Sequence, residues 1–222
     1  MRFNVAIDGP AGAGKSTIAR EAARRQRMIY VDTGAMYRAM ALFMLRNGID
    51  PSDAESVVKQ CALADITIRY ENGEQMVFLN GENVNAYLRT EEVGNATSVV
   101  SAIPKVREKM VELQQNLAAE NDCIMDGRDI GTCVLPNAGL KVYLTADSAV
   151  RARRRYDELK AKGQECDLEK IREDIEERDY RDMHRETSPL RQAPDAVLLD
   201  TSFMTVEEVV ERLMELCRER RG

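Results

Sequence analysis

The sequence predicts an α/β fold: a parallel sheet covered by helices on both faces, interrupted by a small antiparallel β insert and a charged helical hairpin. Three observations carry that expectation. Short apolar runs alternate with longer helical stretches, residues 65–84 switch to strand-like alternation punctuated by turn residues, and residues 147–182 are charge-dense and helical. At 222 residues the chain is sized for one well-buried core with a modest insert, so a single domain over 1–222 is expected.

The elements follow in order. The chain opens with a strand, Phe3 to Ile7, then a glycine-rich turn, then a helix from Lys15. Further apolar runs stand at Met28–Val31, Cys123–Met125, Leu140–Leu144 and Ala196–Leu199, each bounded by Asp, Gly, Pro or Asn. Runs of this kind with helices between them belong to a parallel sheet buried on both faces. Residues 65–84 alternate at Ile66, Ile68 and Tyr70, then at Met76 and Phe78. Asn72-Gly73 and Asn80-Gly81 mark the turns of an antiparallel meander. In the charged stretch, Lys162-Gly163 breaks the helix, and glycine there can serve as a hinge. Met36, Met40 and Met44, at i, i+4 and i+8, read as core packing, and His184 as a surface side chain.

The turn after the first strand is Gly9-Pro10-Ala11-Gly12-Ala13-Gly14-Lys15-Ser16, which fits GxxxxGK[ST]. Each residue type has a chemical reason. Glycines let backbone N–H groups turn inward as a nest for phosphate oxygens, and the following helix presents the positive end of its dipole to the same anion. Lys15 can reach the β and γ phosphates of a nucleotide, and the Ser16 hydroxyl can ligate Mg²⁺. The strand before the turn and the helix after it supply the context that the motif requires. ATP with Mg²⁺ is therefore expected on residues Gly9 to Thr17.

Composition narrows the class. The net charge of −6 argues against a general nucleic-acid binder. Yet 24 of the 32 basic residues are Arg, whose planar fork suits phosphate and carboxylate oxygens. The five cysteines are scattered and form no CxxC, so they read as reduced packing residues. No leader pattern and no apolar run of membrane-spanning length stands out, so a soluble, cytoplasmic chain without a membrane partner is expected. No guanine-reading NKxD segment is present, which speaks against a GTPase switch. A small-molecule kinase remains. If its acceptor is itself a phosphate, two polyanions must meet: unit charges 4 Å apart interact by about 1 kcal/mol in water and about 4 kcal/mol at an effective dielectric near 20. Several positive groups are then needed, and the surplus of Arg supplies them. Such an acceptor needs no general base, because its second pKa of about 6 leaves it ionised at pH 7.

Four segments make the resemblance specific: the phosphate loop GPAGAGKST, then Asp32-Thr-Gly-Ala-Met-Tyr-Arg38, then Asp126-Gly-Arg-Asp-Ile-Gly-Thr132, then Glu177-Arg-Asp-Tyr-Arg-Asp182 followed by Arg185. In this order and spacing, along the whole chain, they resemble the bacterial cytidylate kinases. The resemblance implies the P-loop nucleoside monophosphate kinase fold with a parallel five-stranded sheet. It also implies a nucleotide-binding insert at 65–90, a mobile lid near 151–165, and transfer of the γ-phosphoryl group of ATP to CMP or dCMP. A kinase of the same fold for UMP or AMP, and a nucleotide-binding regulator without kinase activity, stand as alternatives. The partners implied are the small molecules ATP and CMP or dCMP, acting on a monomer.

Carried over position by position, the resemblance implies Thr33, Ser98 and Asp129 as acceptors for the cytosine amine, with Arg107 and Arg185 as donors to the ring. Cytosine needs both kinds of partner. Arg38 and Arg128 would hold the acceptor phosphate, and Arg178 and Asp182 would read the ribose. Lys15, Arg128 and a lid arginine, taken as Arg154, would act in catalysis. The lid run is Arg151, Arg153, Arg154 and Arg155, in which the register is open. Two readings stay open beside these. Arg178, Asp182 and Arg185, at i, i+4 and i+7, would share one helix face and could be a surface ion pair. Asp126 could order Mg²⁺-bound water or cap the following segment.

Overall fold

The computed structural model describes residues 2–221. Five parallel strands lie in the order β2-β6-β1-β7-β8: β1 (Asn4–Asp8), β2 (Ile29–Asp32), β6 (Cys123–Gly127), β7 (Leu140–Thr145) and β8 (Val197–Asp200). The five predicted apolar runs are these strands, displaced by at most a few residues. The register places Asp8 beside Gly127 and Tyr143, and Asp32 beside Asp126, so the acidic strand ends share one edge of the sheet.

Alternation along the strands divides the core in two. Ala6, Val31, Cys123 and Met125 face one side, where α2 (Thr33–Arg46), α4 (Glu91–Val100) and α5 (Pro104–Glu120) pack. Val5, Ile7, Ile124, Val142 and Leu144 face the other, against α1 (Lys15–Gln26) and α8 (Val206–Arg221). This period of two is what a sheet buried on both faces demands. Met36, Met40 and Met44 are fully buried on the first face, as their spacing predicts.

The insert is a three-stranded antiparallel sheet, β3 (Ile66–Glu71), β4 (Glu74–Leu79) and β5 (Glu82–Asn83), which follows the short α3 (Ala54–Gln60). Both of its turns use two residues at positive φ, Asn72-Gly73 and Asn80-Gly81, which is the backbone that a tight hairpin requires. The charged stretch forms the hairpin α6 (Ser148–Ala161) and α7 (Leu168–His184), broken at Lys162 and Gly163 as expected. Arg185 lies beyond the end of α7 in an extended conformation, so the expected single helix face for Arg178, Asp182 and Arg185 is corrected: only the first two are on the helix. His184 is exposed and stacks on Tyr180. No helix among the described residues is long and apolar enough to cross a membrane.

Candidate active site

The phosphate loop runs from the carboxyl end of β1 into α1. Gly9 is irreplaceable on steric grounds, because a Cβ there would sit 1.9 Å from the Leu144 carbonyl oxygen of the neighbouring strand. Gly12 and Gly14 have φ of 74° and 86°, the left-handed backbone that turns successive N–H groups inward. No acidic residue stands in the first turn of α1, which leaves its positive end for an anion. Lys15 is buried and donates to the Pro10 carbonyl at 2.7 Å. Burial, and then the charge of Arg128, push its ammonium below the usual lysine range.

Beneath the loop, Asp126 at the end of β6 accepts from Ser16 Oγ at 3.0 Å and from Tyr30 Oη at 2.8 Å. Burial and the neighbouring Asp32 push this carboxyl above its usual range. The capping alternative for Asp126 falls away, because Asp129 stands at the start of the π-helical turn that follows, Ile130–Val134. A hydroxyl and a carboxylate 3.0 Å apart are hard oxygen donors of the kind that suits Mg²⁺, which keeps several waters and needs few protein ligands. The residues present therefore fit the ion.

A second cluster lies on the β2–β6 side. Thr33, the first residue of α2, is buried and donates to the Asp126 carbonyl at 2.7 Å. Its only proton is thereby used, and Thr33 Oγ1 is left as an acceptor. Asp129 is held by Arg107, whose Nη1 also donates to the Ser101 carbonyl at 3.1 Å, and lies 3.6 Å from Arg185. Arg107 Nε, Arg185 Nη2 and the Tyr37 hydroxyl are buried without a hydrogen-bond partner, although Tyr37 and Arg107 pack face to cation at 5.4 Å. Buried polar atoms left without partners are costly, so free donors at this spot point to a polar ligand.

Next to it stand the guanidinium groups of Arg38, Arg128 and Arg178. Burial, and then Arg128, push Arg178 below the usual arginine range, with Arg38 adding to the repulsion. Burial works against Asp182 as an anion, yet Arg128, Arg178 and Arg185 together hold it below its usual range. Arg128 Nε donates to Asp182 Oδ2 at 2.7 Å. A set of repelling cations around one carboxylate is an anion site of the sort a phosphate monoester fills.

The chain matches the model of the cytidylate kinase family over residues 5–219. The chain belongs to the cytidylate kinase family. It is 49% identical to the cytidylate kinase of Geobacillus kaustophilus over 221 residues, covering 100% of this chain and 99% of that one. With the cytidylate kinase of Caldicellulosiruptor bescii it shares 49% over 215 residues, 97% of this chain and 95% of the relative. Among solved structures, an uncharacterised protein from Eubacterium ventriosum aligns with a TM-score of 0.53 at 10% identity, covering 99% of each chain. A gluconokinase from Sinorhizobium meliloti aligns with a TM-score of 0.50 at 14% identity, covering 100% of this chain and 96% of that one. At such identities these two show the fold alone.

Of the residues that the cytidylate kinase pattern singled out, the structure brings Arg107, Asp129 and Arg185 into one cluster and Arg38, Arg128, Arg178 and Asp182 into another, while Thr33 is tied to the Asp126 carbonyl at the end of β6. Ser98 is half-buried on α4, one turn before Ser101, and its hydroxyl turns to the Gly94 carbonyl of its own helix at 3.5 Å. The arginine run, whose register the sequence leaves open, divides by surroundings. Arg151 is a buried strut: it donates to the carbonyls of Ala146 and Ala11, both at 2.8 Å, and to Asp179 at 2.6 Å. Arg153 and Arg155 are exposed and pair with Asp157 and Glu158 on their own helix. Arg154 donates to the carbonyl and hydroxyl oxygens of Thr201, beyond the end of β8.

Three residues that the sequence pattern leaves without a role also hold the site together. Asp8 takes two backbone N–H groups from the turn after Asp129. Asp179 accepts from the Ala11 N–H of the phosphate loop at 3.1 Å. Gln75 of the insert clasps Asp32, accepting from its N–H at 2.8 Å and donating to its carbonyl at 3.2 Å. Asp8 and Asp179 do lie inside or beside quoted motifs, but only the third dimension shows what they touch.

Proposed function

We infer that this chain transfers the γ-phosphoryl group of ATP to CMP or dCMP, giving ADP and CDP or dCDP. The observation that carries the reading is a buried Arg107–Asp129–Arg185 cluster, offering both an acceptor and free donors, just beyond strand β6, whose Asp126 binds Ser16 of the phosphate loop through its carboxylate and Thr33 through its carbonyl. The two sides of cytosine ask for that mixture.

The triphosphate of ATP lies in the nest of residues 9–17, with Lys15 at the β and γ phosphates. Ser16 and, through water, Asp126 would hold Mg²⁺, which when bound neutralises phosphate charge. Cytosine stands against Thr33 and Asp129 through its amine and against Arg107 and Arg185 through its carbonyl and ring nitrogen. Arg38 and Arg128 grip the phosphate of CMP, and Arg178 with Asp182 borders the ribose. The acceptor oxygen is already ionised at pH 7, so transfer needs alignment and charge neutralisation rather than proton abstraction. Lys15 and Arg128 meet the charge that spreads over the migrating group. Arg154 joins them when the lid near 151–165 closes, which requires its release from Thr201. The insert, clasped to Asp32 by Gln75, forms the wall beside the acceptor.

The test is an ADP-release assay with ATP and Mg²⁺ against CMP, dCMP, UMP and AMP. CMP and dCMP are expected to be preferred and UMP to be much weaker, since uracil turns a carbonyl toward Asp129 and Thr33. Equal rates with CMP and UMP would overturn the base assignment, and ATP binding without ADP release for any monophosphate would leave a regulator.

A further inference from the structure

The carboxylate of Asp8 belongs to none of the groups assigned to ATP, Mg²⁺ or CMP, yet it lies between the two halves of the site. It is the last residue of β1, immediately before Gly9, and is 4% exposed. Its Oδ1 accepts from the Ile130 N–H and its Oδ2 from the Gly131 N–H, both at 2.7 Å. These are the first two donors of the π-helical turn, groups that have no partner within such a turn. The same turn begins directly after Arg128 and Asp129. On its far side Gly131 is wedged against the carboxylate: a Cβ there would lie 3.3 Å from Asp8 Oδ2 and 3.2 Å from Lys141 Cδ. Lys141 is itself anchored to Asp195 at 2.9 Å. No hydrogen bond from this carboxylate runs to residues 9–17; both run to the acceptor side.

We propose that Asp8 is a positioning residue for the acceptor, fixing the backbone after Asp129 so that Arg128 and Asp129 keep their aim at the CMP phosphate and base. The inference rests on the reading of residues 128 and 129 as acceptor contacts. A burial cost of this size has a reason under it. A carboxylate kept among two strands is expensive, and it is held above its usual range by that burial, whereas a bidentate grip on two adjacent N–H groups is something that no neutral side chain of its size provides. Asparagine offers one acceptor and would press its own NH₂ against the second N–H.

The experiment compares wild type with Asp8→Asn and, from the opposite side of the contact, Gly131→Ala. It measures kcat/KM for CMP and for UMP, KM for ATP, and folding by circular dichroism. Both variants are expected to lose about 10- to 100-fold in kcat/KM for CMP, the range of a lost charge-assisted hydrogen bond. KM for ATP should stay within about threefold, and the preference for CMP over UMP should shrink as Asp129 loses its aim. A purely structural role would lower both substrates together and leave the CMP-to-UMP ratio alone, and that result overturns the proposal, as does a kcat/KM for CMP within threefold of wild type. If Asp8→Asn does not fold, Gly131→Ala decides alone. A wild-type protein inert toward CMP would overturn the functional reading and this inference with it, whereas an active wild type with a CMP-neutral Asp8→Asn overturns only the inference.

Discussion

Single side chains at this site are placed by what they are denied elsewhere. Lys15 is buried with one carbonyl partner and its charge is disfavoured by burial and by Arg128, so its ammonium gains most when a phosphate arrives. Lys15→Ala should therefore lower kcat by about two to three orders of magnitude while circular dichroism stays native; a folded variant with near-normal turnover would remove Lys15 from the chemistry. Asp182 presents a choice that geometry sharpens. A carboxylate near the ribose could accept from the 2′-hydroxyl of CMP, which dCMP lacks, but here it holds Arg128 Nε at 2.7 Å. Asp182→Ala should then misplace Arg128 and cost CMP and dCMP alike, about ten- to a hundredfold in kcat/KM. A loss confined to CMP would show that the 2′ contact dominates instead. In the sequence, Arg128 and Asp182 stand out only through the family segments that contain them, since a charged residue on a helix such as α7 otherwise reads as a surface ion pair. Their mutual bond was not legible there, because 54 residues separate them and the pairing depends on where α7 crosses the sheet.

Elements were legible where local chemistry decides them and opaque where packing does. Asn72-Gly73 and Asn80-Gly81 dictate two tight turns by backbone conformation alone, so the insert could be drawn without the fold. The five sheet strands declare themselves by apolar runs too short for helices. The Arg151–Arg155 run behaves differently, because a helix distributes four arginines around its axis and only the neighbours decide which one is buried. Arg151 faces inward and joins Asp179 to the Ala11 backbone, so the α6–α7 hairpin is bolted to the phosphate loop at both its helices. Asp179→Ala removes the charged acceptor of Arg151, which keeps the Ala146 and Ala11 carbonyls, and with it the acceptor of the Ala11 N–H. Amide hydrogen exchange over residues 148–184 should accelerate, with a stability loss of about 1.5–3 kcal/mol for the charged hydrogen bond, while exchange in β3 and β4 stays unchanged. Uniform exchange in wild type and variant would mean that the bolt holds nothing.

Across the whole molecule the sheet brings acidic strand ends together at the edge where two polyanions are to meet, and that arrangement has a thermodynamic signature. Asp8 at the end of β1 is pushed from 3.8 up to about 6, chiefly by burial, against the opposing pull of its two backbone N–H partners. A carboxyl whose folded value is raised binds its proton more tightly when folded than when unfolded. Its contribution to stability is therefore full below about 3.8 and is lost as pH rises through about 6. Two pH units correspond to about 3 kcal/mol, an order-of-magnitude figure. Other groups titrate in the same window, and Asp8 and Lys15 influence each other's charge, so the comparison with Asp8→Asn, which cannot titrate at position 8, reads Asp8 together with its coupling to Lys15. Thermal melts of both proteins at pH 4, 5, 6 and 7.5 should show the wild-type midpoint falling relative to that of the variant as pH rises, with the change concentrated between pH 4 and 6. Parallel curves would mean that Asp8 ionises at the ordinary carboxylate range and that its burial costs the fold nothing. A gap that moves the other way would mean that the Ile130 and Gly131 N–H groups outweigh desolvation and depress its pKa.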